Sequence, residues 1–382
     1  MDDLNNIIRH KIGILFNFSP NWMGGVVYLL NLIKTLNFLD DEDKPEIIIF
    51  YRSDLRKYVD EINYPFIETV EWRFPSVYTG YLQSLLFRKN MFVNEILKQY
   101  HLDSLYPLQD YPVKTKSNTR LISWYADLQH EYYPEFWSKR KVFERTIRIR
   151  LILRNSDDLI VSSQAVADDF NMFFCIRKGL KIRIFHFASV IDCTSVLDII
   201  EVRKKYSIPE KYFIISNQFH KHKNHKILLK ALIILKEKGL YAHLAMSGRF
   251  PDALHSAYME ELHSIINENN LNSQISFLGV IPRDEQLLLM KHAQAVLQPS
   301  LFEGWSTVIE DAISLQVPVV ASKLPVNIEQ LGTEGIYFDP HNPEELATIL
   351  HDFPERNLND IFYDDYSKRI KKTAYELMNI LS

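Results

Sequence analysis

Residues 298–312 have the sequence Gln-Pro-Ser-Leu-Phe-Glu-Gly-Trp-Ser-Thr-Val-Ile-Glu-Asp-Ala. The residues before Pro299 are typical of the end of an apolar strand, and the spacing that follows predicts a helix over 307–316 that Pro318 ends. Thr307 and Glu310 fit a T-x-x-E capping box at the start of this helix. The segment therefore predicts a strand, an acidic loop and a helix in succession, as in α/β folds.

The predicted helix start is suited to a phosphate group. The first amides of a helix have no internal acceptors, and the helix dipole favours negative charge there. Ser306 and Thr307 would add hydroxyl donors to these amides. A phosphate alone would repel the nearby Glu303, so we expect this carboxylate to face a neutral, hydroxyl-rich group. The segment therefore predicts a site for a sugar joined to a diphosphate.

This segment resembles the E-x7-E motif of family-4 retaining glycosyltransferases, also called glycosyltransferase group 1, and in particular a bacterial subgroup with an E-G-W-S-T core. The resemblance implies a GT-B fold, in which two Rossmann-like α/β domains with parallel sheets face a central cleft. It also implies that Glu303, with Gly304 beside it, contacts the donor sugar. The residue eight places later, Asp311, would bind the nucleotide ribose. Because the family has Glu at that position, Glu310 is the alternative ribose ligand.

Composition agrees with two ordinary domains. The chain has 382 residues, 47% of them hydrophobic, and a formal charge of −4, which does not favour nucleic acid as a partner. Cys175 and Cys193 are too few for a disulfide framework and fit a reducing cytosol. No apolar run approaches the roughly 18 residues that span a bilayer, and the first residues are acidic and polar. We expect a cytoplasmic protein without a secretion signal or membrane span.

Short apolar strands alternate with helical stretches, which predicts two parallel α/β sheets. A change to charged helix character between 190 and 209 places the domain boundary near Ser207. The expected domains are an acceptor-side domain over 1–206 and a nucleotide-sugar domain over 207–365, and the resemblance implies that a final helix, 366–382, crosses back to the first. The predicted strands are 11–18, 46–51, 120–125, 159–162, 181–187, 212–217, 243–247, 275–278, 295–298 and 317–322.

A glycine pair follows the first strand. Gly24 and Gly25 lead into a helix predicted over 26–36, and their missing Cβ atoms would let a phosphate or sugar approach the backbone closely. Their position matches the glycine-rich donor loop of the family, and a simple turn into the helix is the alternative. The absence of a G-x-G-x-x-G motif followed by an acidic residue argues against a dinucleotide oxidoreductase.

The loop over 216–225 is rich in lysine and histidine. Relatives carry an Arg and, five residues later, a Lys that bind the donor diphosphate and stabilise the leaving group. Lys223 matches the Lys, whereas Gln218 occupies the Arg position and cannot neutralise a phosphate. Arg249 or a neighbouring lysine or histidine would then supply the charge, or the site is weaker.

The same loop contains His220, His222 and His225. They have no carboxylate or thiolate beside them in the sequence, so we favour anion binding or a solvated loop over a metal site. We therefore expect no metal and no other cofactor, with the nucleoside diphosphate sugar as a substrate. By the resemblance, Arg249 lies near the phosphates and the backbone at Ile281 near the base; a surface arginine after a turn is the alternative for Arg249.

In the first domain, residues 123–134 combine an Asp, a His and several aromatic rings after a strand. Aromatic faces stack on sugars, and an Asp or His can orient or deprotonate an acceptor hydroxyl. Relatives carry His-Asp here; Ala126 occupies the His position, Asp127 matches the Asp, and His130 is a displaced candidate or a structural residue.

A basic amphipathic stretch spans Lys139 to Arg154. It could rest on an anionic membrane leaflet and receive a lipid-linked acceptor, or it could pack on its sheet with a solvated basic rim.

These residues predict a metal-independent, hexosyltransferase-like enzyme. It would move a sugar from a nucleoside diphosphate sugar to a hydroxyl of a glycan or lipid-linked acceptor, with retention, in the synthesis of a cell-surface polysaccharide such as O-antigen. Glu303, Lys223, Asp127 and His130 are the catalytic candidates. A non-catalytic scaffold of the same fold, suggested by Gln218 and Ala126, and a sugar-nucleotide epimerase are the alternatives.

Overall fold

The computed structural model describes residues 9–20, 22–191, 197–250 and 256–382. These residues form two compact units. The first unit contains the described residues up to Ala188 together with Ser367–Ser382, and the second contains the described residues of Ser189–Tyr366. Cys193 lies outside the described residues, and Cys175 is exposed.

The first unit is built on a seven-stranded parallel sheet with the strand order β3-β2-β1-β4-β5-β6-β7. Because the order reverses between β1 and β4, the loops that follow these two strands diverge to opposite sides of the sheet and leave a crevice. Its elements are β1 (Lys11–Phe16), α1 (Met23–Leu36), β2 (Glu46–Tyr51), α2 (Arg56–Val59), β3 (Ile67–Glu71), α3 (Val77–Phe87), α4 (Asn94–Gln99), β4 (Ser104–Leu108), β5 (Arg120–Trp124), α5 (Gln129–Tyr132), α6 (Lys139–Asn155), β6 (Asp158–Val161), α7 (Gln164–Phe173) and β7 (Lys181–Ile184).

The second unit has a six-stranded parallel sheet with the order β10-β9-β8-β11-β12-β13, and its order reverses between β8 and β11. Its elements are α8 (Ile199–Lys205), β8 (Phe213–Ser216), α9 (His225–Glu237), β9 (Leu244–Ser247), α10 (Ser256–Glu268), β10 (Ile275–Gly279), α11 (Arg283–His292), β11 (Val296–Gln298), α12 (Thr307–Ser314), β12 (Val319–Ser322), α13 (Pro325–Leu331), β13 (Ile336–Phe338) and α14 (Pro343–His351). The prediction of two Rossmann-like domains with parallel sheets is confirmed.

Alternate side chains of the second sheet enter two different cores. On β8, Phe213 and Ile215 pack with α9, α10 and α14. Ile214 between them packs on the opposite face with α11 and α12. A strand covered on both faces needs apolar residues at every position, which is why β8 has a continuous apolar sequence.

The predicted domain boundary near Ser207 differs from the division that the structure shows. Helix α8 lies before Ser207, yet it packs within the second unit: Lys205 Nζ lies 2.7 Å from Glu285 Oε1, and Val202 is buried in the core that contains α11 and α12. The charged surface of α8 suggested a linker, but its apolar face is buried.

The last helix, α15 (Tyr366–Leu381), packs on the first unit over most of its length. Its buried apolar residues, Ile370, Ala374, Leu377 and Leu381, recur at helical spacing on one face. Asp40 of the first unit accepts hydrogen bonds from Lys371 Nζ at 2.8 Å and from the Tyr375 hydroxyl at 2.9 Å. Among the described residues, no helix combines the length and apolar character that crossing a bilayer requires.

Candidate active site

The strand reversal in the second sheet brings two loops of the candidate site together. The loop after β8 carries Lys223, and the loop after the neighbouring β11 carries Glu303. The backbone N–H of Leu301 donates to the carbonyl of His222 at 2.7 Å, which fixes one loop against the other. In open parallel sheets, ligands bind at the carboxyl ends of the strands where the order reverses, so this pair of loops is the expected binding position.

Glu303 lies at the centre of a polar network in these loops. Its Oε1 accepts hydrogen bonds from Lys223 Nζ at 2.6 Å and from Gln298 Nε2 at 2.7 Å. Asn217 Nδ2 donates to Gln298 Oε1 at 2.8 Å, which orients the glutamine amide. The Glu303 side chain is 10% exposed and that of Lys223 is 18% exposed. Burial strengthens this charge-assisted pair, and the carboxylate is therefore held in one position before any ligand binds.

The start of α12 differs in detail from the predicted capping box. The N-cap is Ser306, whose hydroxyl accepts from the Ile309 N–H at 3.3 Å, and helix α12 begins at Thr307. Glu310 accepts instead from Gln330 Nε2 at 2.8 Å. The capping box was wrong by one residue because Ser306, a stronger N-cap residue than Thr, precedes Thr307.

This arrangement leaves donors for an anion one residue further into the helix. The Ser306 N–H donates to Gln330 Oε1 at 3.1 Å, so both polar groups of Ser306 have partners within the protein. The amides of Thr307 and Val308 make no hydrogen bond among the described residues. Gly304 is buried just before them. The amides that point out of the helix start are therefore those of Thr307 and Val308.

Asp311 is held by a partner that the sequence reasoning missed. Arg283 donates from Nη1 to Asp311 Oδ2 at 2.7 Å and from Nη2 to Oδ1 at 2.5 Å, a bidentate pair. The Ser189 hydroxyl also donates to Oδ1 at 2.5 Å. The Asp311 side chain is 3% exposed, whereas that of Arg283 is 48% exposed. The carboxylate is thereby fixed against the first residue of α11, and Ile281, two residues before Arg283, is half-buried.

Among the histidines of the loop after β8, His225 is packed in the core rather than solvated, and His220 and His222 are half-buried. His225 is fully buried, and its ring stacks on Phe219 with a centroid distance of 4.4 Å. Burial, with a smaller contribution from Lys223, lowers the pKa of His225 to about 3 and that of His222 to about 2. Both rings are neutral near pH 7. Among the described residues, no group of three or more His, Cys, Asp or Glu side chains is arranged to hold a metal ion.

Gln218 and Arg249 border this loop at its exposed side. Gln218 Oε1 lies 3.0 Å from His220 Nε2, and the Phe219 N–H donates to the carbonyl of Arg249 at 3.3 Å. Arg249 is itself exposed. The preceding Gly248 has a φ of 150°, and a Cβ there would overlap the Asn217 carbonyl oxygen, so only glycine fits. The tight turn holds the backbone of Arg249 beside the loop that carries Lys223.

The strand reversal in the first sheet creates a cavity of about 550 Å³. Asp127 and Tyr125 line it from the loop after β5, and Arg145 and Arg148 line it from α6. The Arg145 guanidinium lies 4.6 Å from the centre of the Trp137 ring, which also lines the cavity. Asp127 Oδ1 accepts from the Gln129 N–H at 3.0 Å. Asp110 also lines the cavity, and its Oδ1 lies 2.8 Å from Arg148 Nε. The cavity therefore combines aromatic faces, two carboxylates and guanidinium groups, which suits a sugar.

His130 does not line this cavity. Its side chain is fully buried on α5, and Nε2 lies 3.4 Å from Glu131 Oε1. Burial, assisted by the positive charge of Arg145, lowers the pKa of His130 to about 4. A neutral, enclosed imidazole fits a packing role more closely than contact with an acceptor.

The glycine pair lies inside α1 rather than before it, since the helix begins at Met23 and not at Val26. A Cβ on Gly25 would lie 2.6 Å from the ring of Trp22. Trp22 stacks in turn on Trp124 with a centroid distance of 5.6 Å. Gly25 therefore makes room for an aromatic cluster, and the donor role of Gly24 and Gly25 stays a prediction. Asn21 of this loop lies outside the described residues.

Comparison with solved structures identifies the fold class. The Anabaena HepE protein in complex with UDP and glucose aligns with a TM-score of 0.61 and 20% identity, over 98% of this chain and 95% of that chain. The sucrose-phosphate synthase of Thermosynechococcus elongatus aligns with a TM-score of 0.61 and 16% identity, also over 98% and 95%. Two Rossmann-like units with this strand order and these neighbours define a GT-B fold.

The second unit resembles a known family in sequence. The model of the glycosyl transferases group 1 family matches residues 198–376 of this chain. A sucrose synthase of Melioribacter roseus is 26% identical over 146 residues, 35% of this chain and 18% of that protein. An O-antigen chain mannosyltransferase of Salmonella typhimurium is 22% identical over 224 residues, 59% of this chain and 58% of that protein. The chain spans less than two thirds of the length of these relatives.

The buried His225 predicts a measurable loss of stability in mild acid. The pKa of His225 is about 3 in the folded protein and 6.5 in its ordinary state. Between these two pH values His225 is protonated in the unfolded chain but not in the folded protein. The free energy of unfolding should fall as the pH drops below about 6.5, by up to about 2 kcal/mol at pH 5 from this residue. Urea unfolding at pH 7.5 and pH 5 should show a smaller difference for His225→Phe than for the natural chain. An equal pH dependence in the two proteins would contradict the assignment.

Proposed function

We propose that this protein is a retaining glycosyltransferase that moves a sugar from a nucleoside diphosphate sugar to a hydroxyl of a glycan or lipid-linked acceptor. The observation that carries the proposal is the carboxylate of Glu303, held by Lys223 and Gln298 at the strand reversal of the unit that the group 1 family model matches. The Anabaena neighbour was solved with UDP and glucose, and one relative is named as an O-antigen mannosyltransferase. The first supports a nucleotide-sugar donor, and the second supports a role in cell-surface polysaccharide synthesis.

Departure of the nucleoside diphosphate requires groups that stabilise negative charge on it. In the proposed reaction the bond between the sugar and the diphosphate breaks, and the charge collects on the diphosphate. Lys223, 2.6 Å from Glu303, and the amides of Thr307 and Val308 would stabilise that charge. Arg249 and Gln218 border the same loop and would add a charge and a hydrogen bond. The proposed reaction uses no metal, because these groups take the place of a cation.

The sugar and the ribose would lie on different carboxylates. Glu303 would accept hydrogen bonds from hydroxyls of the transferred sugar, since its position is fixed before the donor binds. Asp311 would hold the ribose, with the bidentate pair to Arg283 keeping its carboxylate oriented. Glu310 remains the alternative ribose ligand. The backbone beside Ile281 would contact the base.

The acceptor would occupy the cavity of the first unit. Asp127 lines this cavity and can orient an acceptor hydroxyl, and Tyr125 and Trp137 offer faces on which a sugar can stack. In a retaining reaction the departing phosphate can take the acceptor proton, so the buried His130 need not act as a base. We further propose that the enzyme works at the cytoplasmic face of a membrane, where the basic residues of Lys139–Arg154 would contact anionic lipid.

A scaffold without turnover is the second candidate function. Gln218 carries no charge where relatives have an arginine, and Ala126 lines the cavity where relatives have a histidine. A scaffold or an epimerase would give no sugar transfer to an acceptor, and an epimerase would still consume the donor.

Glu303→Gln should lower the turnover number of sugar transfer by about 100-fold or more, because the amide cannot take the charge-assisted hydrogen bonds of the carboxylate. The affinity for the free nucleoside diphosphate should change by less than about threefold, since that ligand lacks the sugar. Transfer is measured by the appearance of glycosylated acceptor, and the anomeric configuration of the product by NMR. Glu344→Gln, an exposed glutamate on α14, is the matched control. Unchanged transfer by Glu303→Gln would contradict the site.

The ribose assignment is tested by the difference in affinity between a ribonucleoside diphosphate and its 2′-deoxy analogue. Asp311→Asn should reduce this difference by about tenfold, because the ribose hydroxyl loses a charged acceptor. Glu310→Gln should leave it unchanged, as Glu310 faces Gln330. Arg283→Met keeps the carboxylate but removes the bidentate partner that orients it, so it should lower the discrimination as well, in the same direction as Asp311→Asn. A loss in Glu310→Gln alone would assign the ribose to Glu310.

A further inference from the structure

Helix α3 of the first unit turns its large apolar side chains outward. Leu82 and Leu86 are 69% and 71% exposed, and Leu85 and Tyr78 lie on the same face at helical spacing. The buried residues of this helix are the small Gly80 and Ser84. This is the reverse of the pattern by which a surface helix of a soluble protein covers its core.

Local packing fixes this orientation. A Cβ on Gly80 would overlap the ring of Phe92, so the helix lies against this ring only where glycine allows it. Ser84 Oγ accepts from the Met91 N–H at 3.0 Å, which anchors the same face. If α3 rotated about its axis so that Leu82 and Leu86 became buried, it would lose both the Gly80–Phe92 contact and the Ser84–Met91 hydrogen bond. A contiguous exposed apolar face held in this way is typical of an interaction surface.

The basic helix α6 lies beside α3. The Tyr78 hydroxyl donates to Glu144 Oε1 at 3.1 Å, and Arg140 Nη2 donates to the Tyr78 oxygen at 3.3 Å. Phe143 of α6 is 66% exposed and extends the apolar face. Exposed cations follow the end of α3 and occur along α6: Arg88, Lys89, Lys139, Arg140, Lys141, Arg150 and Arg154.

We propose that the α3–α6 surface, formed by residues 77–89 and the exposed side of 139–154, inserts its apolar side chains into the headgroup region of an anionic bilayer. Leucine and phenylalanine side chains would reach the acyl boundary while the surrounding lysines and arginines bind lipid phosphates. A second copy of the chain is a poorer occupant, because two such surfaces would bring like charges together. Sequence patterning pointed to α6 alone; the structure assigns the insertion to α3.

The α3–α6 surface also adjoins the cavity of the first unit. Ser76 and Val77, at the start of α3, line the cavity together with Arg145 and Arg148 of α6. The Arg145 Nε atom is buried without a hydrogen-bond partner in the described part of the chain. A lipid-linked acceptor could keep its lipid in the bilayer while its phosphate and first sugar enter this cavity, with the phosphate on Arg145. This step alone rests on the proposed function.

Vesicle flotation tests the surface. The protein should float with vesicles of equimolar phosphatidylcholine and phosphatidylglycerol, and only weakly with phosphatidylcholine alone. The double variant Leu82→Glu/Leu86→Glu should lower the partition coefficient by at least about tenfold, because two inserted side chains become charged. Leu82→Phe/Leu86→Phe should retain binding. Ile361→Glu is the matched control, since Ile361 is an 84% exposed apolar residue of the second unit, and it should leave binding unchanged.

Three results would overturn the inference: no flotation of the natural chain with anionic vesicles, equal flotation of the double glutamate variant, or conversion of a dimer to a monomer by that variant. Thermal unfolding and binding of the nucleoside diphosphate, measured on the same preparations, show that each variant is folded. Vesicle binding does not depend on donor binding, so a failure of the proposed transferase activity would be seen separately.

Discussion

The hydrogen-bonded pair between Lys223 and Glu303 depends on a single topological constraint, the reversal of strand order between β8 and β11. Because these strands are neighbours, two loops far apart in sequence meet at one edge of the second sheet. The Leu301–His222 backbone hydrogen bond and the Asn217–Gln298 side-chain bond fix the two loops before any ligand binds. The pair is therefore preorganised, because folding has already ordered these side chains and ligand binding loses little further conformational entropy there.

Burial also affects other ionisable residues of the second unit. Burial keeps the imidazoles of His222 and His225 neutral, so Lys223 is the cation in contact with Glu303. Asp311 is also buried, and its bidentate pair with Arg283 holds the carboxylate in one position. In the proposed reaction the site uses one carboxylate for the sugar, which is fixed by Lys223, and a second for the ribose, which is fixed by Arg283, and it needs no bound metal.

Sequence patterning predicted the parallel sheets, because continuous apolar strands leave a direct signal. The motif and the family resemblance singled out Glu303 and Lys223, which the structure brings into contact, and their roles stay predictions. Sequence patterning missed β4, because this central strand contains Pro107 and proline is uncommon in central strands. It also missed β3, because this strand has exposed charged residues. The Arg283–Asp311 pair joins residues 28 positions apart on separate helices, and no local pattern indicates it. Helix α3 has leucines at helical spacing that look like a core face, and only its packing through Gly80 and Ser84 shows that they point outward.

The central claim is that the strand reversal of the second unit binds a nucleoside diphosphate without metal. Calorimetric titration of the protein with UDP, GDP and dTDP, in the presence of a chelator, tests it most directly. The account predicts one-to-one, micromolar binding of one of the three, weakened in Lys223→Gln. Binding of none of them, or binding that requires a divalent cation, would contradict it.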